Sequence, residues 1–252
     1  KFIKNTGPLL PKPKLRSILN CKNEIFLKKL NPVYQAISKT RKKLDNKKSL
    51  IAFVGAPWTL VVYMLGLKTK ENKLNMKEYK KKRGDIDSII NMLTNFLCIH
   101  IKKQIDAGAD TVQIFDSWAG IIPTNDLGNY CYLPNLKLVE FCKKNKIPVI
   151  CFPKGIKKKY ADFYKMIKPN GISIDYDIKP EWAAKNLKGA SIQGGMSPNF
   201  MFLKEEKIFQ EAEKYLKVFK NLPYVFNLGH GLLPGTNPYK LEKLINFVRN
   251  YK

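Results

Sequence analysis

Apolar residues fall along this chain in two alternating rhythms. Short continuous runs appear at 49–55 (SLIAFVG), 111–115 (TVQIF), 148–152 (PVICF), 171–175 (GISID), 190–194 (ASIQG) and from 224 (YVFNLGHG). Each is too short for a helix and apolar at successive positions, the pattern of a strand covered on both faces in a parallel sheet. Between them lie lysine-rich segments whose apolar positions recur at helical intervals. Asn31 and Pro32 make a helix start that runs to about residue 43. Ala56 to Thr59 turn into a short helix that Gly66 ends. Asp85 caps the longest helix, whose stripe of Ile86, Ile89, Ile90, Leu93, Phe96, Leu97, Ile101 and Ile105 stops at Gly108. Further helices are predicted at 136–144, 160–167, 180–187, 205–219 and 239–251, while 68–84 is so rich in Lys, Glu and Asn that it reads as a mobile surface loop with one short helix.

Six strands, each followed by a helix or helical crossover, predict an α/β fold with parallel pairing and right-handed connections. An open doubly wound sheet would need a phosphate-binding glycine fingerprint or a switch point, and no G-x-G-x-x-G follows a strand. A (β/α)8 TIM-type barrel with about its first two βα units absent from this chain accounts better for six strands. It also accounts for an opening, 1–15, that has neither helical nor strand periodicity. The 252 residues are read as one domain, 1–252, entered partway.

Composition changes the picture only modestly. The balance of 46 Lys and Arg against 20 Asp and Glu, a net charge of +26, raises nucleic-acid binding as a hypothesis. The lysines are spread over nearly every loop and polar helix face, with only short local runs such as 80–83 and 157–159, so a solvated surface is the better reading and no nucleic-acid partner is expected. No stretch reaches the roughly 20 apolar residues that a membrane span needs. The five cysteines are scattered without Cys-x-x-Cys spacing, which fits neither a disulfide framework nor a zinc ribbon and suits a reducing cytoplasm.

Candidate chemistry collects where strands end. Gly55, Asp116, Ser117, Lys154, Asp175, Gln193 and His230 lie at carboxyl ends, and Tyr63 sits about one turn inside the first helix of that face. His230 lies between Gly229 and Gly231, where little Cβ bulk crowds an approaching ligand. The other histidine, His100, sits alone within a helix and reads as an ordinary packed side chain. Ser117 lies in F-D-S-W-A-G rather than in a G-x-S-x-G elbow, which argues against a serine hydrolase. His-x-Cys and His-x-x-x-His are absent, so neither a metal nor a cofactor is expected.

These segments resemble the uroporphyrinogen decarboxylase family. The resemblance rests on F-V-G-A-P-W-T-L-x-x-Y-M (53–64), A-G-A-D-x-V-Q-I-F-D-S-W-A-G (107–120), F-P-K-G (152–155), I-D-Y (174–176) and V-F-N-L-G-H-G (225–231), in family order and covering the chain from about Gly7 onward. It implies a (β/α)8 barrel that usually forms a homodimer, uses neither metal nor organic cofactor, and converts the four acetate side chains of uroporphyrinogen to methyls, giving coproporphyrinogen. By motif, Tyr63, Ser117 and His230 would contact substrate carboxylates, Tyr63 and His230 would take part in catalysis, and Gly55 and Phe115 would line the cleft.

Two departures stand out. The family's amino-terminal R-Q-A-G-R-Y and P-D-A-M segments have no counterpart here, so this polypeptide alone is expected to be inactive or nearly so. Q-G-G-M-S-P (193–198) stands where the family commonly has Q-G-N-x-D-P. The rival within the wider superfamily is a zinc- and corrinoid-linked methyltransferase, whose His-x-Cys is missing. The rival from another class is a basic nucleic-acid-binding protein, which would need a contiguous basic face with interleaved aromatics.

Overall fold

A computed structural model describes residues 2–3, 7–8 and 19–251. Most of the irregular opening therefore lies outside the described residues, apart from a two-residue antiparallel pair, Phe2–Ile3 with Gly7–Pro8. Six parallel strands follow in one sheet, in the order of the chain: β1 Ile51–Gly55, β2 Thr111–Asp116, β3 Val149–Pro153, β4 Gly171–Ile174, β5 Ser191–Gly194 and β6 Tyr224–Val225. Consecutive parallel neighbours joined by helical crossovers are what six successive units of a (β/α)8 barrel require. All six expected strands are present, with ends shifted by a residue or two, except that β6 is shorter than expected.

The sheet curls. Gln193 on β5 donates its Nε2–H to Gln113 Oε1 on β2 at 3.2 Å, although two strands lie between them. In a flat sheet those strands would stand roughly 14 Å apart, at about 4.8 Å per neighbour. The bond therefore spans the inside of a curved wall. Ser173 on β4, with its Oγ 3.5 Å from the same amide, joins this interior polar layer.

The strand pattern explains which side is which. Ala52, Val54, Val112, Ile114, Val149 and Cys151 are buried against the surrounding helices. Phe53, Phe115 and Phe152 form an edge-to-face row on the inner wall, with centroid separations of 5.9 and 6.1 Å. The expectation that the first strand is covered on both faces fails. Ile51 and Phe53 are 42% and 66% exposed, because nothing among the described residues packs over the inner face at that edge.

Helices α1 Asn23–Lys43, α2 Pro57–Leu65, α3 Met76–Lys81, α4 Arg83–Asp106, α5 Leu133–Lys144, α6 Tyr160–Ile167, α7 Pro180–Asn186, α8 Glu205–Val218 and α9 Pro238–Arg249 surround this sheet. The first helix begins well before its expected start, leaving Pro32 inside it. Packing outweighs the proline: Phe26 lies 4.6 Å from Phe96 on α4, and Tyr34 shares a 3.0 Å hydrogen bond with His100 Nδ1. His100 is thereby the packed helix histidine that was expected.

The stretch read as a mobile loop is tied down instead. The α3 helix begins at an Asn75 side chain that accepts from Glu78 N, and Tyr79 is buried with its hydroxyl donating to Asp126 at 2.5 Å. Arg83 pairs with the same carboxylate, and Trp58 stacks on Tyr130 at 5.5 Å. The cluster fastens α2, α3 and α4 to the segment after β2.

Candidate active site

The carboxyl ends of β1 and β2 meet through one buried carboxylate. Thr59, in the first turn of α2, donates its hydroxyl to Asp116 Oδ1 at 2.7 Å, and the same oxygen of Thr59 accepts the Trp118 N–H at 3.2 Å. Asn135 donates to Asp116 Oδ2 at 3.3 Å, and Trp58 Nε1–H donates to the Trp118 carbonyl at 2.9 Å. Asp116 is 1% exposed, and burial pushes its carboxyl up to about 6 against the opposing hydrogen bonds from Thr59, Cys131 and Asn135. This network holds the turn that carries Ser117.

Tyr63 projects from the same helix. It is 47% exposed and meets the Trp118 ring edge-on at 6.1 Å, so it stands beside the Ser117 turn with its hydroxyl free to face a ligand. Gly55 pairs with Phe115 across the β1–β2 ladder, and a Cβ there would reach 2.9 Å from the Leu60 side chain. Lys68 places its ammonium 4.7 Å from the Trp118 centroid, steadied by a 2.8 Å bond to Asn72 Oδ1. Lys68 thus shares the Trp118 ring with Tyr63; both Lys68 and Lys70 are exposed.

The other wall is built by β4, β5 and the chain after β6. Asp175 Oδ2 accepts from Gly155 N at 2.6 Å and from Tyr160 OH at 3.1 Å, while Oδ1 accepts from Asp177 N at 3.1 Å. His230 does not extend directly from a long strand as its sequence suggested. Regular pairing ends at Val225, a single bridge joins Leu228 to Met196, and Gly229 donates to the Met196 carbonyl at 2.7 Å. Gly229 is buried against the ends of the neighbouring strands, and a Cβ there would lie 2.6 Å from Tyr176 N. His230 emerges exposed just beyond it, its imidazole held below the usual value by burial and then by the positive charge of Lys154.

Every expected site residue therefore sits on the carboxyl side of the sheet, although Ser117 and His230 share no hydrogen bond among those described. Sequence reading did not find the roles of Thr59, which lies within the 53–64 motif but 57 residues from Asp116, or of Asn135, which lies 19 residues from it and in no motif quoted above. Among the described residues no group of three His, Cys, Asp or Glu is placed to hold a metal ion.

Comparison with known proteins follows from this geometry. Residues 1–251 match a family model described as uroporphyrinogen decarboxylase (URO-D). A uroporphyrinogen decarboxylase from Orientia tsutsugamushi (strain Boryong) is 39% identical over 257 residues, covering 100% of this chain and 74% of the relative. Those of Rickettsia bellii (strain RML369-C) and Wolbachia pipientis wMel are 33% and 32% identical, covering 100% and 99% of this chain and 75% and 73% of their own lengths. Among solved structures, a methyltransferase from Methanosarcina mazei superposes with a TM-score of 0.70 at 17% identity, covering 88% of this chain and 65% of that one. A B12-independent methionine synthase from Shewanella sp. W3-18-1 gives 0.55 at 14% identity, covering 85% and 64%. At such identities the structural likeness speaks for the fold alone.

Proposed function

Because this chain belongs to the uroporphyrinogen decarboxylase family, we infer that the cleft bounded by Tyr63, Ser117 and His230 is where the acetate side chains of uroporphyrinogen lose their carboxyls. In each round a proton added to the electron-rich pyrrole creates an electron sink next to the acetate carbon. The carbon–carboxylate bond breaks, CO2 leaves, and the resulting methylene takes a proton as the ring returns its own. The net change per acetate is one proton consumed and one CO2 released. The protein's share is to orient carboxylates, deliver protons and stabilise positive charge on the ring.

The chain's own groups suit those tasks. The Tyr63 hydroxyl and the Ser117 hydroxyl can donate to carboxylates, and His230, held below its usual value, is a neutral imidazole at pH 7 that can donate from one nitrogen and accept at the other. Phe115 and Gly55 form the inner wall beneath. The observation that carries the reading is the gathering of the family's motif residues at one end of the sheet. Anaerobic incubation with uroporphyrinogen, followed by oxidation and separation of porphyrins by carboxyl number, tests it. From the chain joined to the family's amino-terminal R-Q-A-G-R-Y and P-D-A-M segments, products with fewer than eight carboxyls are expected, with Tyr63→Phe slower by about tenfold, the loss of one charge-assisted hydrogen bond. Little or no product is expected from these 252 residues alone, so kcat and KM below are those of the joined enzyme. A folded joined enzyme that leaves all eight carboxyls in place would overturn the reading.

Its finer parts are a homodimer and a cytoplasmic setting without nucleic-acid binding, supported by no more than the family resemblance and the lysine distribution. Sedimentation would count the subunits. Among the described residues no helix is long and apolar enough to cross a membrane.

The charge of the substrate gives a separate expectation. Lys68, beside Trp118 and Tyr63, is expected to help capture an octacarboxylate, so Lys68→Gln should raise KM about two- to fivefold and make kcat/KM less sensitive to salt. Lys70→Gln should change neither. Equal effects of the two substitutions would assign Lys68 to the general basic surface.

A further inference from the structure

We propose that Lys154 is a substrate-binding cation, gripping one carboxylate of the tetrapyrrole between Ser117 and His230. Three observations carry this. First, position: Pro153 pairs with Asp116 across the β2–β3 ladder, and the next residues are joined the same way, Lys154 N–H donating to the Asp116 carbonyl at 3.1 Å and Gly120 N–H to the Lys154 carbonyl at 2.9 Å. Lys154 thus stands abreast of Ser117. Phe152, near the end of β3, lies on the inner wall against Phe115, and Lys154 opens the turn that follows the strand, its N–H also donating to the Phe152 carbonyl at 3.0 Å.

Second, availability. Lys154 is half-buried, and among the described residues no carboxylate pairs with it. The two acidic side chains that end the flanking strands are occupied elsewhere: Asp116 by Thr59 and Asn135, Asp175 by Gly155, Tyr160 and Asp177. A partly desolvated ammonium with no anion of its own is costly unless a ligand supplies one. Third, its charge bears on His230, which places it on the same side of the cleft as the imidazole rather than in bulk solvent. A carboxylate seated there would meet a cation, a hydroxyl and an imidazole N–H together, while Lys68 serves the opposite wall.

The proposal rests on the decarboxylase reading for the identity of its ligand, and its test separates the two. Uroporphyrin, a stable octacarboxylate, serves as the binding probe by fluorescence quenching. Removing one charged hydrogen-bond partner should weaken binding roughly tenfold to a hundredfold. Lys154→Gln should show that loss, raise KM while leaving kcat within about threefold, and flatten the salt dependence of binding; Lys154→Arg should recover most of the affinity. In unliganded protein, NMR titration of His230 should move its pKa upward in Lys154→Gln and leave it unchanged in Lys154→Arg, which checks that the two groups face one cleft, while the affinity and KM readouts separate binding from a merely structural role. If Lys154→Gln fails to fold, Lys154→Met, which keeps the length of the side chain, is read in the same way. Unchanged uroporphyrin affinity, equal losses in the Gln and Arg variants, or a fall in kcat alone overturns the proposal. A wild type that binds uroporphyrin through Lys154 but never decarboxylates uroporphyrinogen would sink the functional reading and leave this one standing.

Discussion

Gly229→Ala is expected to lower kcat/KM about a hundredfold and to destabilise the fold by about 1–3 kcal/mol, while Gly231→Ala, two residues on, leaves stability within about 0.5 kcal/mol. The difference lies in what each added methyl would meet. At Gly229 it would sit 2.6 Å from Tyr176 N, 3.0 Å from Asp175 C and 3.1 Å from the Gly195 carbonyl, all backbone atoms that cannot rotate away. At Gly231 nothing lies within 4 Å. Relief at Gly229 requires the segment that carries His230 to back off from the ends of β4 and β5. A shift of about 1 Å in a positioning group is enough for a loss of about that size in rate. Thermal melts of the three proteins, combined with steady-state kinetics, check both halves. A Gly229→Ala enzyme with normal kcat/KM would mean that the His230 turn has slack the packing does not suggest.

That pair of glycines also shows how far the sequence could be read. The G-H-G pattern announced a histidine with open surroundings at the end of a strand; the structure leaves His230 exposed on the carboxyl side of the sheet, but five residues beyond Val225, where regular pairing ends. The sequence could not say that one glycine is forced by backbone contact and the other merely sits in open space, because the contacting atoms belong to Asp175, Tyr176 and Gly195, 34 to 54 positions earlier. The strands were legible for a simple reason: a parallel strand with helices on its outer face reads as an apolar run, and TVQIF or PVICF has no competing helical period. The helix start at Pro180 was expected where it lies, and the helices that begin at Pro57 and Pro238 were expected within a residue or two of those prolines, where proline in the first turn loses no hydrogen bond. The same rule misled at Pro32, where Phe26 and Tyr34 packing on α4 sustains a helix across the proline. In the lysine-rich stretch before α4 composition pointed to a mobile loop with one short helix; the helix is there, but the buried Tyr79 hydroxyl on Asp126 ties the stretch down. Motif residues at the site were found because they are contiguous with strands. Their supports, Thr59 and Asn135, belong to other elements and become visible only when those elements pack.

Asp116, the centre of that support, should give the other large effect. Its carboxyl is raised to about 6, chiefly by burial. An acid whose folded-state value lies above the ordinary carboxylate range near 4 binds more protons folded than unfolded between those two values, so stability must fall as pH rises from about 4 to about 6 and then level off. Two units correspond to roughly 3 kcal/mol, an order-of-magnitude figure for a fully buried group. The stability difference between Asp116→Asn and wild type, read from denaturant unfolding at pH 4 and pH 7, should therefore move in favour of the variant by an amount of that order as pH rises. Comparing the two proteins cancels the other titrating groups that they share. Asp116→Ala behaves differently, because it strands the Thr59 hydroxyl without its acceptor in a buried site, at about 1–3 kcal/mol, and takes from the Asn135 amide the longer of its bonds, leaving the 2.8 Å one to the Cys131 carbonyl. It should be less stable at every pH. Since Thr59 also accepts the Trp118 N–H, losing its anchor loosens the Ser117 turn, and kcat/KM should fall more steeply in Asp116→Ala than in Asp116→Asn. The carboxylate is thus costly to ionise yet kept, which is intelligible if its work is to fix α2, α5 and the Ser117 turn relative to one another. A difference between Asp116→Asn and wild type that stays constant with pH would show instead that Asp116 keeps an ordinary carboxylate in the folded protein.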